Sequence, residues 1–293
     1  SLLGKTFVHD NNPEVIQKFS NDCDVVTYET ENTDSNIVNE ISKTIEVYPR
    51  DLSLSLTQHR GREKTLLQKL NIPCAPFELI NNVSDLTRAI KNIGLPAILK
   101  TTQDGYDGKG QFLIKSESQI DEAWEAMSGV ESILEGFIDF KRELSLVAVR
   151  GTDGSLKYYP LAENSHHEGI LRLTVAPAQE ISESLQKKAE SYMISLLTEI
   201  NHVGVLTLEL FDSDDELIVN EIAPRVHNSG HWTIEGAQTS QFENHIRAIT
   251  NTPLGDTSIK SQFNAMINII GKHGPTNKVF ETRNAHLLSL IHI

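Results

Sequence analysis

Two apolar runs, residues 203–211 and 216–221, joined by Asp212-Ser213-Asp214-Asp215, constrain this chain more than any other feature. Runs rich in leucine and β-branched residues, separated by a short polar turn, read as the two arms of a β-hairpin. Each arm carries a carboxylate ill suited to its neighbours: Glu209 on the first, and Glu221 on the second, where Asn220 precedes it and Ile218, Val219 and Ile222 flank it. Burying a carboxylate without a partner is costly. Such a hairpin therefore either turns its glutamates to water or offers them to a cation. Whether both point to one face depends on the pairing register, which the residues alone leave open. If they do, two hard oxygen ligands aided by an amide oxygen suit Mg²⁺ bridging nucleotide phosphates.

Upstream, Pro96-Ala97-Ile98-Leu99-Lys100 reads as a short strand ending in a lysine, followed by the loop Asp104-Gly105-Tyr106-Asp107-Gly108-Lys109-Gly110. Glycine lets main-chain N–H groups approach phosphate oxygens closely, and Lys100 and Lys109 add positive charge. The spacing is neither GxxxxGK[ST] nor GxGxxG, so it is neither a Walker A loop nor a dinucleotide fingerprint, and a plain surface turn is the competing reading. Directly after the hairpin comes Pro224-Arg225-Val226-His227-Asn228-Ser229-Gly230-His231-Trp232-Thr233. Its density of donors points to an anion, with Arg225 able to grip a phosphate bidentately. An irregular polar loop is the alternative. His166-His167-Glu168 suggests a metal only weakly, because neighbouring strand residues face opposite ways. Glu135 and Glu143 read equally as acceptors for ribose hydroxyls or as surface residues.

The order of elements is α+β rather than a regular βαβ array. A strand is expected at Asp24-Val25-Val26-Thr27-Tyr28 and a helix through Ile37, Val38, Ile41 and Ile45. Further helices are expected over 58–70, 84–92 (with Gly94 as its C-cap), 119–127 and 180–200. Strands are expected over 111–114, 132–135, 143–151 and 156–161, the last two turned by Asp153-Gly154. At 293 residues the chain is long enough for about two domains. Its net charge of -14 opposes non-specific nucleic-acid binding, though not a small phosphorylated substrate. Cys23 and Cys74 form no ligand motif, so neither a zinc site nor a disulfide framework is supported, and a reducing cytosol is the plain reading. No apolar run is long enough to span a membrane. Ser1, where an initiator methionine would stand, leaves a processed chain or a fragment as readings.

Taken together, these motifs resemble the ATP-grasp superfamily, and within it the carboxylating ligases of purine biosynthesis. The residues carrying the likeness are Ala97-Ile98-Leu99-Lys100, Gly105-Tyr106-Asp107-Gly108-Lys109-Gly110-Gln111, Val219-Asn220-Glu221 and residues 224–233. Tyr159-Pro160-Leu161-Ala162-Glu163-Asn164, Ile170-Leu171-Arg172, Gln241-Phe242-Glu243, His245 and residues 247–250 also match, so the likeness runs from about residue 24 to 271. It implies an ATP-grasp fold at 56–255, with a lid at about 75–140. It further implies a truncated Rossmann-like domain at 1–55 and the truncated start of a small C-terminal domain, including a strand at 265–271, at 256–293. The implied reaction uses ATP and bicarbonate to form carboxyphosphate and then carboxylates the amine of 5-aminoimidazole ribonucleotide. Mg²⁺ is implied as cofactor, with a homodimer in the cytoplasm.

The likeness also distributes roles. Arg60 and Lys100 would contact nucleotide phosphates, Gly105 to Gln111 would form the lid loop, and Glu135, Gly136, Phe137 and Ile138 would read adenine through the main chain. Glu143 would bind ribose, with His166 on the nucleotide side. Glu209 and Glu221 would hold Mg²⁺ beside Asn220. Tyr106, Asp107, Lys109, Arg225, His227 and Asn228 would face the aminoimidazole nucleotide and carboxyphosphate, joined by Glu29 or Glu31. Departures are the missing opening GxGQLGRM-like turn, Lys109 where Arg is common, and the missing basic segment beyond residue 271. The last implies weaker affinity for the ribonucleotide. Two rival readings are a formate-using glycinamide ribonucleotide transformylase, separable by bicarbonate dependence, and a non-catalytic ATP-binding fragment.

Overall fold

The computed structural model describes residues 4–8, 12–103, 110–213, 216–271 and 276–290. The chain opens with α1 (Pro13–Asn21) and α2 (Ser35–Ser42), whose N-caps Asn12 and Asp34 accept from the N–H groups of Glu14 and Asn36. The strand expected over 24–28 is absent. Val26 makes a single parallel bridge to Val47, and with no strand beside it among the described residues the segment stays extended without becoming a ladder. Its apolar content is satisfied by burial, since Val26 and Tyr28 pack with Val38, Ile41, Val47 and Leu54.

The helix expected over 58–70 is α4 (Arg60–Lys69), and a further helix that was not expected, α3 (Asp51–Thr57), runs up to it. His59 breaks them apart: its backbone is extended and its Nδ1 accepts from Arg62 N at 3.3 Å, so it caps α4. The sequence hides α3 because Leu52, Leu54 and Leu56 alternate with serine, a period that mimics a strand.

A four-stranded antiparallel sheet follows, built from β1 (Phe77–Ile80), β2 (Ala97–Thr101), β3 (Gln111–Ile114) and β4 (Ser132–Gly136) in the order β1-β4-β2-β3. Helices α5 (Val83–Ile93) and α6 (Ile120–Ala126) bury Leu86, Ala89, Ile90 and Ala123 against Ile80, Leu99, Ile114 and Leu134 of this sheet. Gly94 ends α5 at φ 90°, a conformation that costs glycine least. Because side chains alternate, Lys100 and Glu135 face away from that core.

The larger, seven-stranded sheet comprises β5 (Arg142–Arg150), β6 (Leu156–Tyr158), β7 (Ala162–His167), β8 (Ile170–Ala176), β9 (Gly204–Ser213), β10 (Glu216–Ala223) and β11 (Asn264–Ile267). Its order is β10-β9-β5-β7-β8-β11, with β6 paired to β5. Helix α7 (Glu183–Glu199) and α4 cover one face, where Leu66, Leu67, Leu146, Met193, Leu196, Leu208 and Leu210 form the main core. Two short helices, α8 (Thr233–Gly236) and α9 (Gln241–Ile249), precede β11, and α10 (Asn277–Glu281) follows it.

Three expectations need correction here. The strand over 156–161 stops at Tyr158, beyond which Pro160 brings no N–H for a ladder. The strand over 265–271 is shorter, Asn264–Ile267. His166 does not follow a strand but lies inside β7, one arm of a hairpin with β8.

Two buried histidines tie the opening helices to the larger sheet. His245 Nδ1 accepts from Val205 N at 3.1 Å, which leaves Nε2–H to donate to Thr27 Oγ1 at 2.8 Å. His202 Nε2–H donates to Val205 O at 3.0 Å, and Ser53 Oγ lies 3.0 Å from Nδ1. Burial holds both rings neutral, pushing His202 down to about 3 and His245 to about 4.

Candidate active site

Register settles what the hairpin does. In the β9–β10 pair Glu221 lies opposite Glu209, Ile222 opposite Leu208, and Val219 opposite Leu210, with a bulge at Asn220. Directly opposed residues of an antiparallel pair project to the same face. Leu208, Leu210 and Val219 enter the core, so both carboxylates turn the other way. The bulge adds one residue to β10, bringing Asn220 beside Glu209 as well, and the amide hydrogen-bonds that carboxylate. Burial, then the neighbouring charge of Glu221, pushes Glu209 up to about 7. Glu221 is also raised, chiefly by its poorly hydrated setting, against the opposing pull of Arg60. Two carboxylates that disfavour each other's charge suit a shared divalent cation. Among the described residues no third acidic, His or Cys ligand completes a protein cage. That accords with Mg²⁺, which takes one or two carboxylates and fills the remainder with water and phosphate oxygens.

Facing this pair, Lys100 Nζ lies 3.0 Å from Glu135 Oε2, and Arg60 Nη1 donates to Thr101 O at 2.9 Å. Glu135 is 3 % exposed. Burial alone would raise its carboxyl, but Lys64 and Lys100 outweigh that and hold it below the usual range. Its side chain is thus committed to two ammonium groups, and the alternative reading of it as a surface residue is overturned by its burial. The main-chain reading of this segment narrows too. Gly136 N and Phe137 N already donate to Pro76 O and Pro96 O, at 2.9 and 3.1 Å. Glu143 pairs with His166 Nδ1. These two lie beside Asn164, Glu209, Phe211 and Asn220. His167, the next residue, is exposed on the other side.

The segment 224–233 is held against the carboxylates. Gln241 clamps His227 from both sides, accepting from His227 N at 3.0 Å and donating to His227 O at 2.7 Å. Gly230 is required there, because a Cβ would stand 2.5 Å from Gln241 Oε1. Ser229 N donates to His227 Nδ1 at 3.3 Å, so the ring carries its proton on Nε2, 3.4 Å from Glu209 Oε1. Burial, with the positive charge of Arg225 nearby, pushes His227 down to about 3 and keeps it neutral. Arg225 Nη2 donates to Glu31 Oε1 at 2.7 Å and Nη1 to Val226 O at 3.0 Å, while Nε has no hydrogen-bond partner among the described residues. Asn228 Oδ1 accepts from Asn268 Nδ2 at 3.0 Å.

The structure therefore brings Arg60, Lys100, Glu135, Glu143, His166, Glu209, Asn220, Glu221, Arg225, His227 and Asn228 to facing surfaces of the two sheets. Of the expected lid loop, Gly110 and Gln111 are seen where β3 begins. Gly105, Tyr106, Asp107, Gly108 and Lys109 lie outside the described residues. Sequence reasoning missed Glu63, Lys64 and Asn268. The first two sit among the apolar positions of α4 and, at 2 % and 1 % exposure, are ionisable residues in a core, where burial pushes the Glu63 carboxyl up to about 8. A charged pair interrupting a helix's inward face was the available signal.

A small antiparallel sheet bearing a lysine, set against a larger sheet bearing a carboxylate pair, is the arrangement of ATP-grasp ligases, and the family model for the ATP-grasp domain matches residues 65–242. The N5-carboxyaminoimidazole ribonucleotide synthase of Pseudomonas aeruginosa is 44% identical over 274 residues, covering 94% of this chain and 75% of that protein. The crystal structure of N5-carboxyaminoimidazole ribonucleotide synthetase from Thermus thermophilus superposes with TM-score 0.92 at 44% identity, over 97% of this chain and 78% of that one. An Aspergillus clavatus N5-carboxyaminoimidazole synthase, solved with ADP and 5-aminoimidazole ribonucleotide, gives TM-score 0.83 at 31% identity, over 93% and 71%. The chain belongs to the N5-carboxyaminoimidazole ribonucleotide synthase family.

Proposed function

We propose that this protein carboxylates 5-aminoimidazole ribonucleotide on its exocyclic amine, using ATP and bicarbonate, to give N5-carboxyaminoimidazole ribonucleotide, ADP and phosphate. The observation that carries the reading is the Glu209–Glu221 pair, joined through His227 to the segment 224–233 and facing Lys100 across the cleft. A bicarbonate oxygen attacks the γ-phosphorus and ADP departs, leaving carboxyphosphate. The amine nitrogen then bonds to the carboxyl carbon, delivered as carboxyphosphate or the CO₂ it releases, and phosphate and a proton leave.

Lys100 and Arg60 bind nucleotide phosphates, Ile138 N–H reads the adenine edge, and Glu143 with His166 receives the ribose. Glu209, Glu221 and Asn220 would hold Mg²⁺, which when bound neutralises charge building on the transferred phosphoryl group. Neutral His227 keeps its Nε2–H on Glu209, orienting that carboxylate toward the cation. Arg225, aligned by Glu31 and with Nε unspent, binds the carboxyphosphate anion beside Asn228. Tyr106, Asp107 and Lys109 complete the substrate side, with Asp107 orienting or deprotonating the attacking amine. Excluding water matters because carboxyphosphate hydrolyses readily. Among the described residues no helix is long and apolar enough to cross a membrane. A cytoplasmic homodimer is the assembly we propose on the family likeness.

Phosphate release from Mg·ATP tests the reading, run with and without aminoimidazole ribonucleotide and with and without bicarbonate. Release requiring both is expected. Release stimulated by formate and glycinamide ribonucleotide instead would assign the chain to the transformylase, and ATP binding with no release would make it non-catalytic.

A further inference from the structure

β10 is the edge strand of the larger sheet, and among the described residues its outer side meets only an isolated parallel bridge between Cys74 and Val219. An edge in that position normally faces water or must be covered. Here α4 and Pro73 cover it. Val219 N donates to Pro73 O at 2.8 Å, and Ile222 N donates to Glu63 Oε2 at 3.2 Å. Lys64 Nζ donates to Asn220 O at 2.8 Å and lies 3.4 Å from Val219 O. Consecutive side chains of one helix, an acceptor and a donor, thus stand in for a missing strand on either side of the bulge that lets Asn220 and Glu221 both serve the carboxylate face.

Both side chains are buried, which is an expensive place for charge unless every group is matched. Lys64 has three N–H donors, and its third neighbour is Glu135 Oε2 at 3.6 Å. The same oxygen lies 3.0 Å from Lys100 Nζ. One buried ammonium therefore touches the strand that carries the carboxylate pair and the acid that holds the phosphate-side lysine on the smaller sheet. A pair that merely filled the core would need no such bridge, since leucine and methionine would pack α4 at lower cost.

We propose that Glu63 and Lys64 are positioning residues for the ligase reaction. They grip the backbone of residues 219–222 so that Asn220 and Glu221 present their oxygens to the cation, and through Glu135 the Lys64 ammonium sets Lys100 relative to it. This inference rests on reading Glu209 and Glu221 as the cation site. Outer partners that orient ligands in this way typically govern about 10-fold to 100-fold of metal affinity or activity.

The test measures Mn²⁺ binding to the protein with ADP present, by the electron paramagnetic resonance signal of free Mn²⁺, with circular dichroism to confirm folding. Lys64→Met keeps the side chain's length without its donors. Glu63→Leu removes the acceptor for Ile222 N, and Glu63→Gln retains one. Folded Lys64→Met and Glu63→Leu should bind Mn²⁺ about 10-fold to 100-fold more weakly than the parent, with Glu63→Gln recovering most of the loss. Parent-like Mn²⁺ binding by Lys64→Met and Glu63→Leu overturns the proposal, as does equal loss in Glu63→Gln and Glu63→Leu. Should Lys64→Met fail to fold, the two Glu63 variants decide alone. Glu221→Gln separates the two levels of inference. If it alone loses Mn²⁺, the cation site stands and the positioning role falls. If it binds like the parent, the cation site falls and the positioning role with it.

Discussion

Replacing Glu209 by Gln should stabilise the ligand-free fold while removing its cation site, and the size of the gain can be worked from the carboxylate pair. Glu209 is pushed from 4.5 to about 7 in the folded protein. A folded-state acid with a raised pKa binds more protons than its unfolded counterpart between those values, so stability falls as pH rises through that window. At 1.36 kcal/mol per pH unit, the full shift is worth about 3 kcal/mol above neutrality. Because the two glutamates share their repulsion, removing one charge also relieves the other, and part of the gain belongs to Glu221. Gln keeps an acceptor for His227 Nε2–H, so the local contact survives. Urea unfolding in EDTA should therefore show Glu209→Gln equal to the parent near pH 4.5 and about 2–3 kcal/mol more stable near pH 8. For a chain of this size that difference is a rise of roughly 4–10 °C in Tm. Mg²⁺ with ADP should stabilise the parent and not the variant, since only a ligand that binds the folded state shifts unfolding. A stability difference independent of pH, or a variant less stable than the parent near pH 8, would refute the argument that burial and the neighbouring Glu221 hold the Glu209 carboxyl above its ordinary range.

Three further outcomes follow from the same geometry. Lys100→Met leaves Glu135 with Lys64 as its ammonium partner and removes a cation from the phosphate side, and steady-state kinetics should show kcat/KM for ATP lower by about 100-fold. Gly230→Ala drives a Cβ into Gln241 Oε1 and should cost about 1–3 kcal/mol in chemical denaturation, with activity falling as the His227 segment shifts. His202, held near 3 by burial, is neutral in the fold but protonates in the unfolded chain below about 6.5, so its stabilisation is present above that pH and fades as pH falls toward 3. His202→Gln should flatten that acid limb of a stability–pH curve.

Much of the chemistry was legible before any fold was known. The glutamates of the hairpin announce themselves because carboxylates rarely sit in apolar strands without a reason, and the donors of 224–233 are too dense for an idle loop. Helices α5 and α7 follow from periodicity and caps, since Asn82 and Ser182 accept from the N–H groups of Asp85 and Leu185. Other elements were not legible. Residues 24–28 have the composition of a strand but no partner strand among the described residues, and strand formation is a property of pairs. The alternation of Leu52, Leu54 and Leu56 concealed α3, because one leucine faces the opening helices and another the main core. The hairpin β7–β8, which carries His166, has polar residues inside the sheet, where Asn164 bonds Ser145 and Thr174.

The sequence by itself determined which groups are available: two glutamates on two apolar arms, a lysine at a strand end, and an arginine, histidine and asparagine in one segment. Local propensity and burial cost are enough to select those. Only the tertiary structure decided what they do together. A slip of one residue in the β9–β10 register would send Glu221 into the core, and the bulge that prevents it is set by Pro73, Glu63 and Lys64, residues about 150 positions away in the chain. Likewise Glu135, open to either reading as a sequence letter, became a buried counter-ion because packing brought two ammonium groups to it. Contacts of that kind depend on how distant segments meet, which no local pattern encodes.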